Sequence, residues 1–377
     1  MIMDSNKVTS RQLTLIIATF GLSMTISYMF SIDIPPANQD VWITVLLSFF
    51  YALILRIPLL FLINKFPYLT LVEIIEKILG KLLGRLIGIF YALYFTAYSI
   101  FIVVLQAQLV GVNIVANVSH SLVIGLLTIT ILYIGSKGLV IMCWTGEMVT
   151  PLVLVLIILM IILGLNNVDF TVLLPILSDS TFAEINKGAI MLSALVNDVF
   201  ILVKCAPLLD NKKDLTKTYI YGNLGYVIIG AIAIIVTQGA LGIEQARHAN
   251  YPFMIYTRLI KFKSAFERID VLYVTAWLAA NTGRILFFLY FSYMAFRDVF
   301  KVKKGKWIFY VLGIIVGLLS FYISKTSVLA VSESSLNTIQ IFLTGLFVTV
   351  IPLITMIVYF FRRNTLIKEK EEKTQND

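Results

Sequence analysis

The stretch GAIMLSALVNDVFILVKCAPLL, residues 188–209, decides the fold, because it is long and apolar enough to cross a bilayer yet carries Asn197 and Asp198 halfway along. A span needs about 20 residues at about 1.5 Å rise to cross a hydrocarbon core of about 30 Å. A carboxylate at that depth must face the protein interior or a water-filled cavity. Asp198 is therefore the strongest candidate for a functional residue. The alternatives are a structural ion pair with Arg284 or Arg56, or a displaced span that brings Asp198 to an interface.

The rest of the chain has the same apolar character. Hydrophobic residues make up 59% of the 377, charged residues only 14%, and the mean hydropathy is +0.92, so lipid must be the main solvent. We predict an all-α integral membrane protein of about ten transmembrane helices in contact with membrane lipid. The predicted spans cover residues 12–31, 41–64, 86–112, 120–141, 145–166, 186–207, 219–242, 270–296, 307–324 and 338–361.

The distribution of the net charge of +9 along the chain indicates the membrane topology. Of the 30 basic residues, 21 lie in or beside the gaps on the same side as the N-terminus, and seven lie in the opposite gaps. This asymmetry follows the positive-inside rule and predicts that both termini are cytoplasmic. It does not indicate a nucleic-acid partner.

The residues that enzymes and metal sites need are scarce. His120 and His248 are the only histidines, and both fall in or beside predicted external loops, so no metal cluster or histidine-based catalytic triad is expected within the membrane. No phosphate-binding GxxxxGK[ST] loop occurs either. We predict no enzyme activity, no catalytic residue, no metal and no cofactor. Cys143 and Cys205 fall at cytoplasmic ends of spans, where thiols stay reduced, so no disulfide is expected.

The first span carries a second candidate site. Its sequence LIIATFGLSMTISYMF, residues 15–30, places Gly21, Ser23, Met24 and Thr25 near the middle. Small and hydroxyl residues around a glycine permit local unwinding, and the freed backbone groups could then bind an amino acid or an ion. The alternative is a small-residue face for helix packing.

Two further groups of residues lie deep in predicted spans. In the eighth span Asn281, a further ligand-binding candidate, lies three residues before Arg284, with Thr282 and Gly283 between them. The long side chain of Arg284 could snorkel to the cytoplasmic headgroups, and so could that of Arg56 in the second span. The third span carries tyrosines at i, i+3 and i+7, and one of them, Tyr94, is a candidate to close a substrate cavity. The alternative is a packing stripe.

The spans divide into two halves of five. Repeat one covers about residues 12–166 and repeat two about 186–361, within a single membrane domain of residues 1–367 that is followed by a charged cytoplasmic tail, 368–377. In inverted-repeat transporters the first helix of each half is discontinuous and the substrate lies between the two breaks. We therefore predict breaks in helices 1 and 6.

Three motifs resemble a known family: NQDVWITVLLS at 38–48, LVEIIEKILGKLLGRLIGIFYALYF at 71–95, and YPF, RLI and FERID followed by Trp277 within 251–277. The chain resembles the B subunits of endospore germinant receptors, or spore germination permeases, within the amino acid, polyamine and organocation (APC) transporter superfamily. The resemblance implies a LeuT/APC-like fold. It also implies location in the inner spore membrane, A and C subunits as partners, and sensing of a small-molecule nutrient such as an amino acid.

The functional hypothesis combines the resemblance with the candidate residues. A nutrient enters from the outer face and binds between the broken helices, near Gly21 to Thr25 and near Asn197 and Asp198. Binding shifts the bundle between two arrangements, and the partner subunits read that shift. Two alternatives stay open: a proton- or sodium-coupled amino acid permease, and an ion or water channel.

Overall fold

The computed structural model describes residues 7–28, 35–113, 119–249, 251–260, 269–302, 305–325 and 333–375, and within these ranges every regular element is helical. One isolated bridge pairs Val8 with Leu209. The α-helices are α1 Ser10–Tyr28, α2 Val41–Lys65, α3 Leu71–Leu79, α4 Lys81–Asn113, α5 His120–Gly135, α6 Leu139–Gly164, α7 Phe182–Leu195, α8 Val199–Cys205, α9 Leu215–Leu241, α10 Ile243–His248, α11 Pro252–Arg258, α12 Asp270–Phe300, α13 Lys306–Lys325, α14 Glu333–Gly345 and α15 Ile351–Gln375.

Eight helical stretches of the described chain are long and apolar enough to cross a membrane, and they correspond to eight of the ten predicted spans. The other two predicted spans are the shorter helices α1 and α5, and residues 29–31 of the first lie outside the described residues. The predicted boundary between spans four and five was wrong. The chain turns at residues 136–138, where Gly138 adopts a φ of 98° that other residues rarely reach, so α6 begins at Leu139.

Contacts sort the interhelical gaps into two ends of the bundle. We call one end the basic end. There Val8 bonds to Leu208 and Asp210, and Gln12 bonds to Glu147. At the same end Lys301 lies 4.0 Å from Glu76, and Arg362 bonds to Ile78. At the opposite end Asn38 bonds to Ser180 and Gln238, and Asp169 bonds to Gly239. The predicted alternation of basic gaps is thus reproduced, and Val8 and Arg362, near the two ends of the chain, share the basic end.

The sixth predicted span is interrupted as expected. Helix α7 ends at Leu195, Val196 is extended with φ −85° and ψ 108°, and α8 begins at Val199. Among the eight long stretches this one is the most deeply buried. The break therefore lies inside the bundle, where its free backbone groups must find partners within the protein.

The predicted break in the first span is wrong. Helix α1 is continuous from Ser10 to Tyr28, and the hydroxyls that were expected to favour unwinding bond to carbonyls of the same helix. Ser23 Oγ donates to the Phe20 carbonyl at 2.9 Å, and Thr25 Oγ1 to the Gly21 carbonyl at 3.0 Å. The small residues serve helix packing, which was the alternative interpretation: α1 packs along α9, and a Cβ on Gly21 would lie 2.3 Å from the Tyr226 ring.

The close approach of Gly21 to the Tyr226 ring predicts how a substitution at Gly21 changes stability. Gly21→Ala should destabilise the protein by about 1–3 kcal/mol, because the added methyl overlaps the buried Tyr226 ring and α1 or α9 must shift. Thermal unfolding of the detergent-solubilised protein measures the change. Gly125→Ala is the matched control, since a Cβ there meets no atom within 4 Å. Equal melting temperatures for the two variants would refute the tight contact.

Candidate ligand site at the broken helix

The break leaves the last carbonyls of α7 without intrahelical partners, and Arg56 of α2 supplies the missing donors. Its Nη2 donates to the carbonyls of Ser193 and Val196, and the residue is 1% exposed. The prediction that Arg56 snorkels to the headgroups was wrong, because buried carbonyls at a helix end are nearer and need a donor. Arg56 therefore fixes where α7 stops.

A buried ion pair lies on the other side of the break. Arg284 of α12 places Nη2 3.0 Å from Asp198 Oδ2, and both side chains are at most 1% exposed. The same Nη2 donates to the Phe20 carbonyl in the middle of α1. Snorkelling of Arg284 was thus also a wrong prediction, since the Asp198 carboxylate is a better partner than a distant headgroup. One guanidinium joins α1, α8 and α12.

Asn197 connects the break to α4 and α14. Its Nδ2 donates to Tyr94 Oη at 2.8 Å, and Tyr94 Oη shares a hydrogen bond with Thr344 Oγ1 at 3.1 Å. Tyr91 donates to the Phe347 carbonyl at 2.6 Å, inside the π-helical turn Leu346–Val350 that follows α14. The tyrosines of α4 form the buried stripe that their spacing predicted, and Tyr94 takes part in the network of the site.

The other predicted residues lie in the surrounding core. Met24 is 4% exposed, and Ser23 and Thr25 bond to carbonyls of their own helix. Asn281 is buried too, and its Nδ2 donates to the Trp277 carbonyl one turn earlier in α12. The structure thus brings Tyr94, Asn197 and Asp198 to the break in two adjoining groups, Asn197 with Tyr94 and Asp198 with Arg284, which together we call the network. Gly21, Ser23, Met24, Thr25 and Asn281 have other local partners.

The network contains polar atoms with no hydrogen-bond partner among the described residues. They are buried, and they include both acceptors and donors: Asp198 Oδ1, Asn197 Oδ1, Arg284 Nε and Arg284 Nη1. An unsatisfied buried polar group costs about 1–3 kcal/mol, and more when it is charged. The arrangement therefore offers both hydrogen-bond donors and hydrogen-bond acceptors to a bound molecule.

A cavity of about 260 Å³ lies beside this network, toward the basic end. It is bounded by α1, α5, α6 and α12, and its mostly apolar lining includes four threonines: Thr19, Thr145, Thr150 and Thr282. The Phe20 ring lines the cavity, and its centroid lies 5.7 Å from the Arg284 guanidinium carbon. Phe20 thus separates the cavity from the ion pair.

A polar cluster at the opposite end holds the start of α2 against the segment that leads into α7. Asp40 is buried and accepts hydrogen bonds from Leu177 N at 3.0 Å and Ser180 Oγ at 2.5 Å. Asp179 accepts from Gln39 Nε2 at 3.0 Å and from Ser178, and these bonds hold the pKa of the Asp179 carboxyl below its usual value. The motif at 38–48 thus ties the start of α2 to the segment between the two predicted repeats.

Several residues of the site gave no clear signal in the sequence. The Phe20 and Ser193 carbonyls are backbone groups whose neighbours depend on packing between distant segments. Thr344 lies about 150 residues after Asn197 and resembles any other threonine in a span. Gly345, which follows Thr344 and directly precedes the π-helical turn, was a local indication of irregular backbone.

Solved structures share this fold. One is a Na⁺-coupled sialic acid symporter in a substrate-bound, outward-open state, with a TM-score of 0.62 and 15% identity over 91% of this chain and 79% of that chain. Another is a nucleobase-cation-symport-1 family transporter in a closed conformation with bromovinylhydantoin bound, with a TM-score of 0.58 and 14% identity over 92% and 80% of the chains. The fold and the interrupted sixth span define an integral membrane protein with the LeuT/APC-like fold.

Within that class the chain belongs to the spore germination protein family, whose model matches residues 7–328. A curated relative is spore germination protein KB of Bacillus subtilis (strain 168), 22% identical over 178 residues. The match spans about half of each protein: 47% of this chain and 48% of the relative.

Proposed function

We propose that this protein is the nutrient-sensing subunit of a spore germinant receptor. It binds a small zwitterionic nutrient of the amino acid type beside the break between α7 and α8. The observation that carries the proposal is the pairing of unpartnered acceptors and donors. Asp198 Oδ1 and Asn197 Oδ1 suit an ammonium group, and Arg284 Nε and Nη1 suit a carboxylate. The family match and the transporter fold support it.

Binding would act on the helices that the network joins. A ligand that draws Arg284 away from the Phe20 carbonyl or from Asp198 favours one arrangement of α1, α8 and α12 over another, and that difference in affinity shifts the population. In the proposed complex the A and C subunits read the shift. The complex lies in the inner spore membrane, with both termini of this chain in the cytoplasm.

Asp198→Asn tests the site. It removes the negative charge that would hold an ammonium group, so the affinity of the purified chain for its amino acid should fall at least about tenfold, as expected for a charge-assisted hydrogen bond. Isothermal titration against a panel of amino acids, sugars and nucleosides first identifies the ligand. The dose response of spores that carry the variant should shift by a similar factor, with protein accumulation confirmed by immunoblot.

Asp169→Asn is the matched control, because Asp169 is an exposed carboxylate outside the spans. Equal ligand affinities for Asp198→Asn and Asp169→Asn would remove Asp198 from the site. Tightest binding of an uncharged sugar or nucleoside would contradict the zwitterion proposal.

A coupled permease is the second candidate, favoured by the 260 Å³ cavity on the basic-end side of Phe20, which would provide room for a substrate that has passed the ion pair. Uptake of the labelled ligand by proteoliposomes of the isolated chain, driven by a proton or sodium gradient, would support this function. Binding without uptake supports the receptor.

A further inference from the structure

The two cysteines of the chain lie far apart in sequence but next to each other in the structure. Cys143, near the start of α6, and Cys205, the last residue of α8, place their Sγ atoms 3.9 Å apart, and both thiols are free and fully buried. The chain has no other cysteine. A disulfide needs an S–S separation of about 2.05 Å, so the sulfurs would have to approach each other by about 2 Å.

The two cysteines lie on elements that the N-terminal segment holds at the basic end. Cys205 ends the short helix that follows the break, and the next residues, Leu208 and Asp210, bond to Val8. Glu147, one turn after Cys143 on α6, accepts a 2.6 Å hydrogen bond from Gln12. Both cysteine-bearing elements are therefore held by the same N-terminal segment at the basic end. Movement of α8 relative to α6 has to break these contacts and separate the thiols.

We propose that Cys143 and Cys205 form a dithiol modification site, at which a two-electron oxidant creates a disulfide that locks α8 to α6 and keeps the basic end closed. A neutral azo compound is the chemical class of oxidant required. With an azo compound one thiol adds to the N=N bond, and the second thiol attacks the resulting S–N sulfur. The S–S bond forms, the S–N bond breaks, and the hydrazine leaves with the two electrons and two protons that the thiols have lost.

The covalent step is tested on the full-length purified protein with diamide. Mass spectrometry of the alkylated, digested monomer should find a peptide in which Cys143 is linked to Cys205, and dithiothreitol should release it. Absence of this link in the native protein, when the same chain forms it after denaturation, would overturn the proposal and leave two buried packing thiols.

The lock is tested by hydrogen exchange at residues 7–12 and 206–210, which contain the amides of Val8 and Asp210. Oxidation should slow their exchange by at least about threefold, because opening of the basic end becomes rarer. Cys143→Ala, which keeps the volume small and apolar, should show no slowing with diamide. A disulfide that leaves exchange unchanged, or slowing in Cys143→Ala, would refute the lock.

The effect on germination rests on the proposed function and is measured separately. Diamide should suppress the nutrient response of wild-type spores reversibly and leave that of Cys143→Ala spores unaffected. If the chain does not sense nutrients, this response is lost as a readout, whereas the cross-link and the exchange data still decide the proposal.

Discussion

Replacing Arg284 with leucine should destabilise the protein by about 3–5 kcal/mol, because it leaves the Asp198 carboxylate buried without its countercharge. The Phe20 carbonyl also loses a donor. We expect poor accumulation in the membrane and a much lower melting temperature in detergent. Arg85→Leu is the matched control, since the Arg85 side chain is 43% exposed in its pair with Glu76; such a pair contributes about 0–1 kcal/mol.

The double variant Asp198→Asn with Arg284→Gln separates stability from function. Both buried charges are then absent, so much of the lost stability should return, as it often does when both partners of a buried ion pair are replaced. The ligand response should not return, because neither the ammonium nor the carboxylate of a zwitterion then meets an opposite charge. A double-mutant cycle measures the coupling energy. A single Arg284→Leu variant as stable as Arg85→Leu would show that the pair is not buried as described.

Replacing Arg56 with methionine should have the second largest effect. The carbonyls of Ser193 and Val196 would lose their buried donor, at a cost of about 1–3 kcal/mol for each unsatisfied group. The backbone at the break should then become more mobile, and Asn197 and Asp198 should no longer be held in fixed positions. We therefore expect both a lower melting temperature and at least a tenfold weaker ligand affinity, which thermal unfolding and titration measure.

Lys65→Met is the control for this prediction. Lys65 ends the same helix and is exposed, so its loss removes one cation from α2 without disturbing the break. Arg56→Lys keeps the charge. Its melting temperature and ligand affinity should fall between those of Arg56→Met and Lys65→Met, because an ammonium can donate to a carbonyl but lacks the planar shape of the guanidinium. Wild-type affinity in Arg56→Met would show that the position of α7 does not depend on this residue.

The sequence predicted the helical spans well, because burial in lipid requires long apolar runs and places basic residues at one end. One boundary error came at Gly138, where a tight turn interrupts an otherwise continuous apolar stretch. The break in the sixth span was predicted too, from the division into two halves of five spans, and it lies where Asn197 and Asp198 stand halfway along an apolar stretch.

The break in the first span could not be judged from the sequence. Small and hydroxyl residues suit both an unwound segment and a packed helix, and the choice depends on what faces them. In the structure the helix continues, Tyr226 packs against Gly21, and the Ser23 and Thr25 hydroxyls bond within α1.

The sequence by itself determined the class of protein, the spans, the shared end of the bundle for the two ends of the chain, and the presence of a carboxylate deep in the membrane. These follow from local composition, because the transfer of apolar and charged groups between water and lipid acts on each segment separately. Only the tertiary structure decided the partners: Arg284 with Asp198 and Phe20, Arg56 with the end of α7, and Cys143 with Cys205. Each of these contacts joins segments that lie at least 62 residues apart, and only the packing of the helices brings them together.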